Sequence, residues 1–198
     1  MTKRLIAMLL GVLLSGCTST PATEFYVLEA SNQGTPTTIH GEKQQLIGIG
    51  PISIPALLDN QKIVTRSSGN TVQIAEFQQW ASPLQDNLLQ ALTRNLSALQ
   101  PNNIVRTYPW SIHGTVDRQI IVDIVRFDST PGKSANLEAN WTIKNETSNK
   151  VLKSGHSVII RPLADLSYPG TVKTLSKLLG EFSQELSSAL LNLEMTNK

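Results

Sequence analysis

Cys17 is the only cysteine in this 198-residue chain, and the residues in front of it decide where everything after it must fold. Lys3 and Arg4 precede an apolar run from Leu5 to Leu14 that only Gly11 interrupts. This is the charged and hydrophobic order of a secretory signal. Ten residues at ~1.5 Å rise reach about 15 Å, half of a ~30 Å hydrocarbon core, so the run is too short to span a bilayer. An exported chain meets an oxidising compartment, and one cysteine allows no internal disulfide. Packing and hydrogen bonds must then supply all of its stability.

Leu14-Ser15-Gly16-Cys17 has the pattern of a bacterial lipobox. Small residues let a peptidase reach the backbone, and the thiol accepts a diacylglyceryl group. An A-x-A cleavage site is missing. The expected organisation is a signal peptide over 1–16 that is removed, a lipidated tether over 17–23 and a single domain over 24–198. Cys17 is the lipidation site, carrying diacylglycerol and an N-acyl chain such as palmitate. At ~0.8 kcal/mol per buried CH₂, one chain anchors marginally, whereas two or three hold a protein on the membrane durably. Thr18 follows the cysteine where an Asp would signal inner-membrane retention, so the expected location is the outer membrane, facing the periplasm. The six residues Thr18–Thr23 reach roughly 20 Å at ~3.3–3.6 Å each, so the domain rides close to its membrane.

The formal charge of +2 comes from scattered Lys and Arg residues, which excludes the electrostatic footprint of a nucleic-acid binder. Past the signal, no apolar run approaches the ~20 residues of a membrane span.

Glu24–Leu28 reads as a first strand and Leu46–Pro55 as a second, in which Pro51 demands an edge, a bulge or a break. Lys62–Arg66 and Thr71–Phe77 form a hairpin around Ser67-Ser68-Gly69-Asn70. Trp80-Ala81-Ser82-Pro83-Leu84-Gln85 then opens a helix, with Ser82 as N-cap, Pro83 at the first helical position and Gln85 completing a capping box. Leu84, Leu88, Leu92, Leu96 and Leu99 make its apolar stripe, which reads as core, and Pro101 ends it. Trp80 reads as a packing residue at the helix start.

Ile104–Tyr108 is a short strand. Arg118–Phe127 is apolar on both faces, as a central strand requires. Asn136–Asn145 alternates strictly and pairs with Val151–Arg161 across Thr147-Ser148-Asn149-Lys150. A last amphipathic helix runs from Leu175 to Leu193. The fold class expected is α+β, a two-layer sandwich with a mostly antiparallel sheet of about 6–8 strands and two amphipathic helices packed on one face.

Tests for chemistry lead away from catalysis. Gly48-Ile49-Gly50 lacks the remaining residues of a phosphate loop. His40, His113 and His156 have no metal-ligand spacing, so no metal or other cofactor is expected. His156 and Ser157 are neighbours on a strand and point to opposite faces. Asp117, Asp123 and Asp128 read as edge or salt-bridge groups. No catalytic residues are assigned.

Several stretches together resemble a known family. Cys17, Phe25-Tyr26-x-Leu28, Ile54-Pro55-x-Leu57-Leu58-Asp59, Ile63-Val64-x-Arg66 and, most specifically, Trp80-Ala81-Ser82-Pro83-Leu84 with Leu92 and Asn95-Leu96 are similar to the ABC-type transport auxiliary lipoproteins, and among them to the PqiC (YmbA-like) branch. The likeness covers nearly the whole mature chain and weakens after Asn102. It implies a non-enzymatic subunit that acts beside an MCE (mammalian cell entry) protein and an inner-membrane transport component in lipid traffic between two membranes. It also implies that Trp80, Ser82 and Pro83 are fold-defining. The expected role is docking the periplasmic MCE tube at the outer membrane, possible homo-oligomers closing into a ring. A lipid carrier with a pocket between sheet and helices is the alternative, and an envelope hydrolase the third reading.

Overall fold

The computed structural model describes residues 21–31, 44–67, 70–110, 114–163 and 165–196. Its spine is the longest inner strand, β6 (Arg118–Thr130). One side of β6 pairs along its whole length with β7 (Ser134–Asn145), which pairs in turn with β8 (Lys150–Pro162), all antiparallel. The other side is shared between two shorter strands. β2 (Leu46–Ser53) takes the first half, Ile47 opposite Arg118 and Ser53 opposite Asp123. β3 (Lys62–Arg66) takes the second, with Thr65 opposite Ser129. β5 (Ile104–Thr107) flanks β2, while β4 (Val72–Trp80) and then β1 (Glu24–Tyr26) extend from β3.

The sheet is therefore mixed, which corrects the expectation of a mostly antiparallel one. Of the seven pairings, β1·β4, β2·β5, β2·β6 and β3·β6 are parallel. Hydrophobic alternation reports which side of a strand is buried, but it carries no information on which distant strand lies alongside. Parallel neighbours need a crossover: β2 returns to its parallel partner β5 only after the β3·β4 hairpin and helix α1 (Leu84–Leu99), which carries the chain from β4 to β5 at the other end of the strand order. The hairpin β3·β4 and the meander β6·β7·β8 supply the three antiparallel pairings, which are local, as their short turns require.

Pro51 sits where β2 shifts register between Ile49 and Ile52, so the break it demanded is a bulge in a strand paired on both sides. Gly50 adopts a φ of 113° there, a conformation open to glycine at no steric cost.

α1 and the long C-terminal helix α2 (Tyr168–Thr196) pack against each other and on the sheet. α1 buries Leu84, Leu88, Leu92 and Leu96, and α2 buries Leu175, Leu178, Leu179, Phe182, Leu186 and Leu190. They meet Ile120, Val122, Ile124, Leu137, Ala139 and Ile143 of the sheet in one cluster. Each such side chain contributes about 1.5–3 kcal/mol when fully buried. Trp80, 3% exposed, belongs to the same cluster, as the sequence predicted.

Candidate functional site

Cys17, the expected lipidation site, lies outside the described residues, as do His40, His113 and Ser68 and Gly69 of the expected hairpin. The tryptophan motif, in contrast, sits at a junction of three elements. The Trp80 N–H donates to the Gln61 carbonyl at 2.6 Å, and the Ala81 N–H donates to the Tyr26 carbonyl at 2.8 Å, so the motif clamps β1 beside the start of α1.

The expected cap at Ser82 is corrected. The N-cap is Pro83, at ψ 137°, with no side-chain cap bond. The Ser82 hydroxyl accepts instead from the Asn87 amide at 3.0 Å, and Gln85 donates to the Ile52 carbonyl. The Ser82 hydroxyl is taken by a local partner, because Asn87 sits one turn into the helix and its amide reaches back, while Gln85 goes to a tertiary one on β2. Its Nδ2 also donates to the Ser82 carbonyl at 2.9 Å, while its Oδ1 accepts from the Leu28 N–H at 3.4 Å. Asn87 thereby ties the exit of β1 to the helix start. The signal for it was a polar residue within the apolar stripe, and it is 5% exposed.

On the face of the sheet away from the helices, polar side chains form two groups. Ser53 and Asn140 donate to Asp123, Asn140 Oδ1 lies 2.8 Å from His156 Nδ1, and His156 Nε2 lies 3.5 Å from Glu138. Farther along β6, Asp128 is buried and receives Arg66 at 2.5 Å, Arg126 at 2.9 Å and the Asn136 amide at 3.3 Å. Arg126 and Asp128, two apart on β6, share a face by alternation, and the bulge between Ile124 and Arg126 puts that face on the same side as Asp123. Asp117 accepts from the Leu46 N–H at 2.8 Å. The three aspartates, read from the sequence as edge or salt-bridge groups, are thus separate bonding groups, of which Asp128 carries the ion pairs.

Ser157 points to the opposite face from His156. Its hydroxyl accepts from the Trp141 indole at 3.0 Å and donates to Glu185 of α2 at 2.5 Å. Trp141 reaches it by lying across Gly155, where a Cβ would run into the ring. Both sides of the hydroxyl are occupied, so its geometry fastens α2 to the edge strand β8. Beside it, Arg161 grips Glu181 with a two-pronged pair at 2.9 and 2.5 Å. Lys153, Arg161, Glu181 and Glu185 line an open groove of about 640 Å³. Among the described residues no group of three or more His, Cys, Asp or Glu is placed to hold a metal ion.

Gly48 and Gly50 serve packing. A Cβ on Gly48 would lie 2.6 Å from the Trp110 ring, and one on Gly50 would lie 2.7 Å from the Tyr108 Cβ. Tyr108 and Trp110 meet edge to face at 5.3 Å. At the sheet edge, the Tyr26 hydroxyl is pushed up to about 12, by desolvation first and then by its bond to the Glu24 carboxylate.

The family model of the ABC-type transport auxiliary lipoprotein component matches residues 26–187, which takes in both layers of the fold. The intermembrane transport lipoprotein PqiC of Escherichia coli (strain K12) is 23% identical over 145 residues, covering 73% of this chain and 75% of that protein, and its Shigella flexneri counterpart matches equally. A crystal structure of a Xanthomonas campestris protein superposes with a TM-score of 0.72 at 18% identity, over 88% of this chain and 98% of that one. That likeness shows a shared fold. Among the described residues no helix is long and apolar enough to cross a membrane.

Proposed function

The chain belongs to the ABC-type transport auxiliary lipoprotein component family, and from that premise we propose that it is a non-enzymatic lipoprotein of the outer membrane that docks the periplasmic end of an MCE-type tube. The observation that carries this reading is the family match, which runs through the strands and helices alike from Tyr26 to Ser187. In this reading residues 1–16 are removed, and Cys17 bears diacylglycerol and an N-acyl chain. Residues 17–23 tether the body, 24–198, within about 20 Å of the bilayer. The mechanism is proximity: a subunit held at the membrane raises the effective concentration of that membrane for the tube and its inner-membrane machinery. Copies closing into a ring would form a passage that one body of this size cannot enclose, and among the described residues β1, β5 and β8 each pair with a single strand, leaving edges for such closure.

The geometry gives less support to the rival readings. The space between sheet and helices, where a carried lipid would sit, is filled by Leu88, Leu92, Leu96, Phe182 and Leu186, all 0% exposed. The serine and histidine of a hydrolase reading, Ser157 and His156, face opposite sides of β8 and have separate partners.

The test is capture from crosslinked cells. The native chain is expected to retain an MCE-domain protein, while Cys17→Ser should enter the soluble periplasmic fraction and lose membrane-barrier function. Capture without any MCE-domain protein, or full function of Cys17→Ser, would overturn the reading. Light scattering of the delipidated chain with its partner decides the ring, which a strict monomer removes.

A further inference from the structure

At the rim of the sheet where β1 ends, apolar side chains lie uncovered. Phe25 is 63% and Val27 52% exposed, although Leu28, next in sequence, is fully buried. Hydrogen bonds gather further apolar residues at this rim. The Ala81 N–H holds the Tyr26 carbonyl, placing exposed Ala81 at the Tyr26–Val27 peptide, with exposed Pro83 two residues on in sequence. The Gln61 carbonyl holds the Trp80 N–H, and the Asn60 amide donates to the carbonyl of Leu57, itself 37% exposed.

We propose that this rim, Phe25 and Val27 with Leu57, Ala81 and Pro83, rests on the lipid bilayer in which the chain is anchored. The inference rests on acylation of Cys17. Phe25 stands eight Cα–Cα steps after Cys17 in sequence, so it can lie no more than about 29 Å from the anchored residue at ~3.6 Å per step. It is the first large apolar side chain after the tether and belongs to the first strand. An anchor alone fixes distance and leaves orientation free. An apolar rim beside the tether fixes orientation too, because turning it toward the bilayer removes it from water. Phe25 lies opposite Gln79, which lies opposite the exposed Lys62, so a cation shares this region of the sheet and suits lipid phosphates. Exposed Asp59 and Asp86 near the rim keep the contact at headgroup level, since a carboxylate does not enter hydrocarbon.

The test uses the acylated full chain in vesicles of phosphatidylethanolamine and phosphatidylglycerol. With Cys17 acylated, Phe25→Cys supplies a single free thiol for an environment-sensitive fluorophore. Val158→Cys, on β8 and 56% exposed in the native chain, supplies the comparison. The label at position 25 is expected to shift to the blue on vesicles and to be quenched by brominated lipid several-fold more than the label at position 158. Equal quenching at both positions in protein that floats with the vesicles would overturn the rim and leave the anchor standing. A blue shift at position 25 without lipid, growing with protein concentration, would assign the rim to a second copy and overturn the proposal. Failure to float, with a free thiol at Cys17 by mass, would remove the anchor and the rim together.

Discussion

Replacing Gly48 by alanine tests whether the G-x-G of β2 exists to seat an aromatic ring. The added Cβ would lie 2.6 to 2.9 Å from three atoms of the Trp110 ring. Carbon contacts settle at roughly 3.5–4.0 Å, so the ring must withdraw by about 1 Å. The backbone cannot yield instead, since Gly48 is held between Arg106 of β5 and Gln119 of β6. Overpacking of this kind costs about 1–3 kcal/mol, and the stiffer unfolded chain returns about 0.4–1 kcal/mol. The expected net loss is about 1–2 kcal/mol, which in a protein of this size lowers Tm by roughly 2–8 °C. Trp110→Ala alone should cost about 3–5 kcal/mol, as truncation of a large buried aromatic does. With Trp110 removed, Gly48→Ala should become neutral or slightly stabilising, because the clash has gone. Urea unfolding of the four proteins in a Cys17→Ser background, followed by circular dichroism, measures the coupling. An equal loss from Gly48→Ala with and without Trp110 would refute the packing role assigned to this glycine.

Three further outcomes follow from the same geometry. The folded pKa of Tyr26, raised from 10.0 to about 12, exceeds its unfolded value, so the associated stability is complete below pH 10 and is lost as the pH rises toward 12; ultraviolet titration should show a late-ionising tyrosine that vanishes in Tyr26→Phe, and a late component surviving that substitution would be contrary. Asn87→Ala should cost about 1–3 kcal/mol, because the buried Leu28 N–H loses its acceptor; denaturant midpoints check this, and an unchanged midpoint would deny the clamp. Removing both Arg66 and Arg126 should cost about 3–5 kcal/mol by stranding buried Asp128, whereas Asp128→Asn should cost less, since both guanidinium groups are about one-third exposed and rehydrate; the reverse order in a stability comparison would contradict this reading.

Local pattern made several features legible before any coordinates. The stripe Leu84, Leu88, Leu92 and Leu96 is the buried face of α1, and the alternation Leu137, Ala139, Trp141, Ile143 is the buried face of β7. Each depends on a period of one element, which a stretch of sequence records in full. The helix start at Ser82-Pro83 was only half legible. Proline and the stripe placed it within a residue, but the cap chosen on local grounds lost its hydroxyl to Asn87. Glycines 48 and 155 carried no readable purpose, because the rings lying over them, Trp110 and Trp141, come from other strands or loops.

By itself the sequence determined the single thiol, the strand and helix inventory and the inward faces, since these depend on neighbours within about one turn or one hairpin. The tertiary structure alone decided that β2 lies parallel to both β5 and β6, that three elements converge on Asn87, and that Arg66 and Arg126 share one buried carboxylate. Parallel pairing and the Leu28–Asn87 and Arg66–Asp128 bonds join groups tens of residues apart. Their energies are realised only when the whole sheet has closed around β6, and no window of sequence contains both partners.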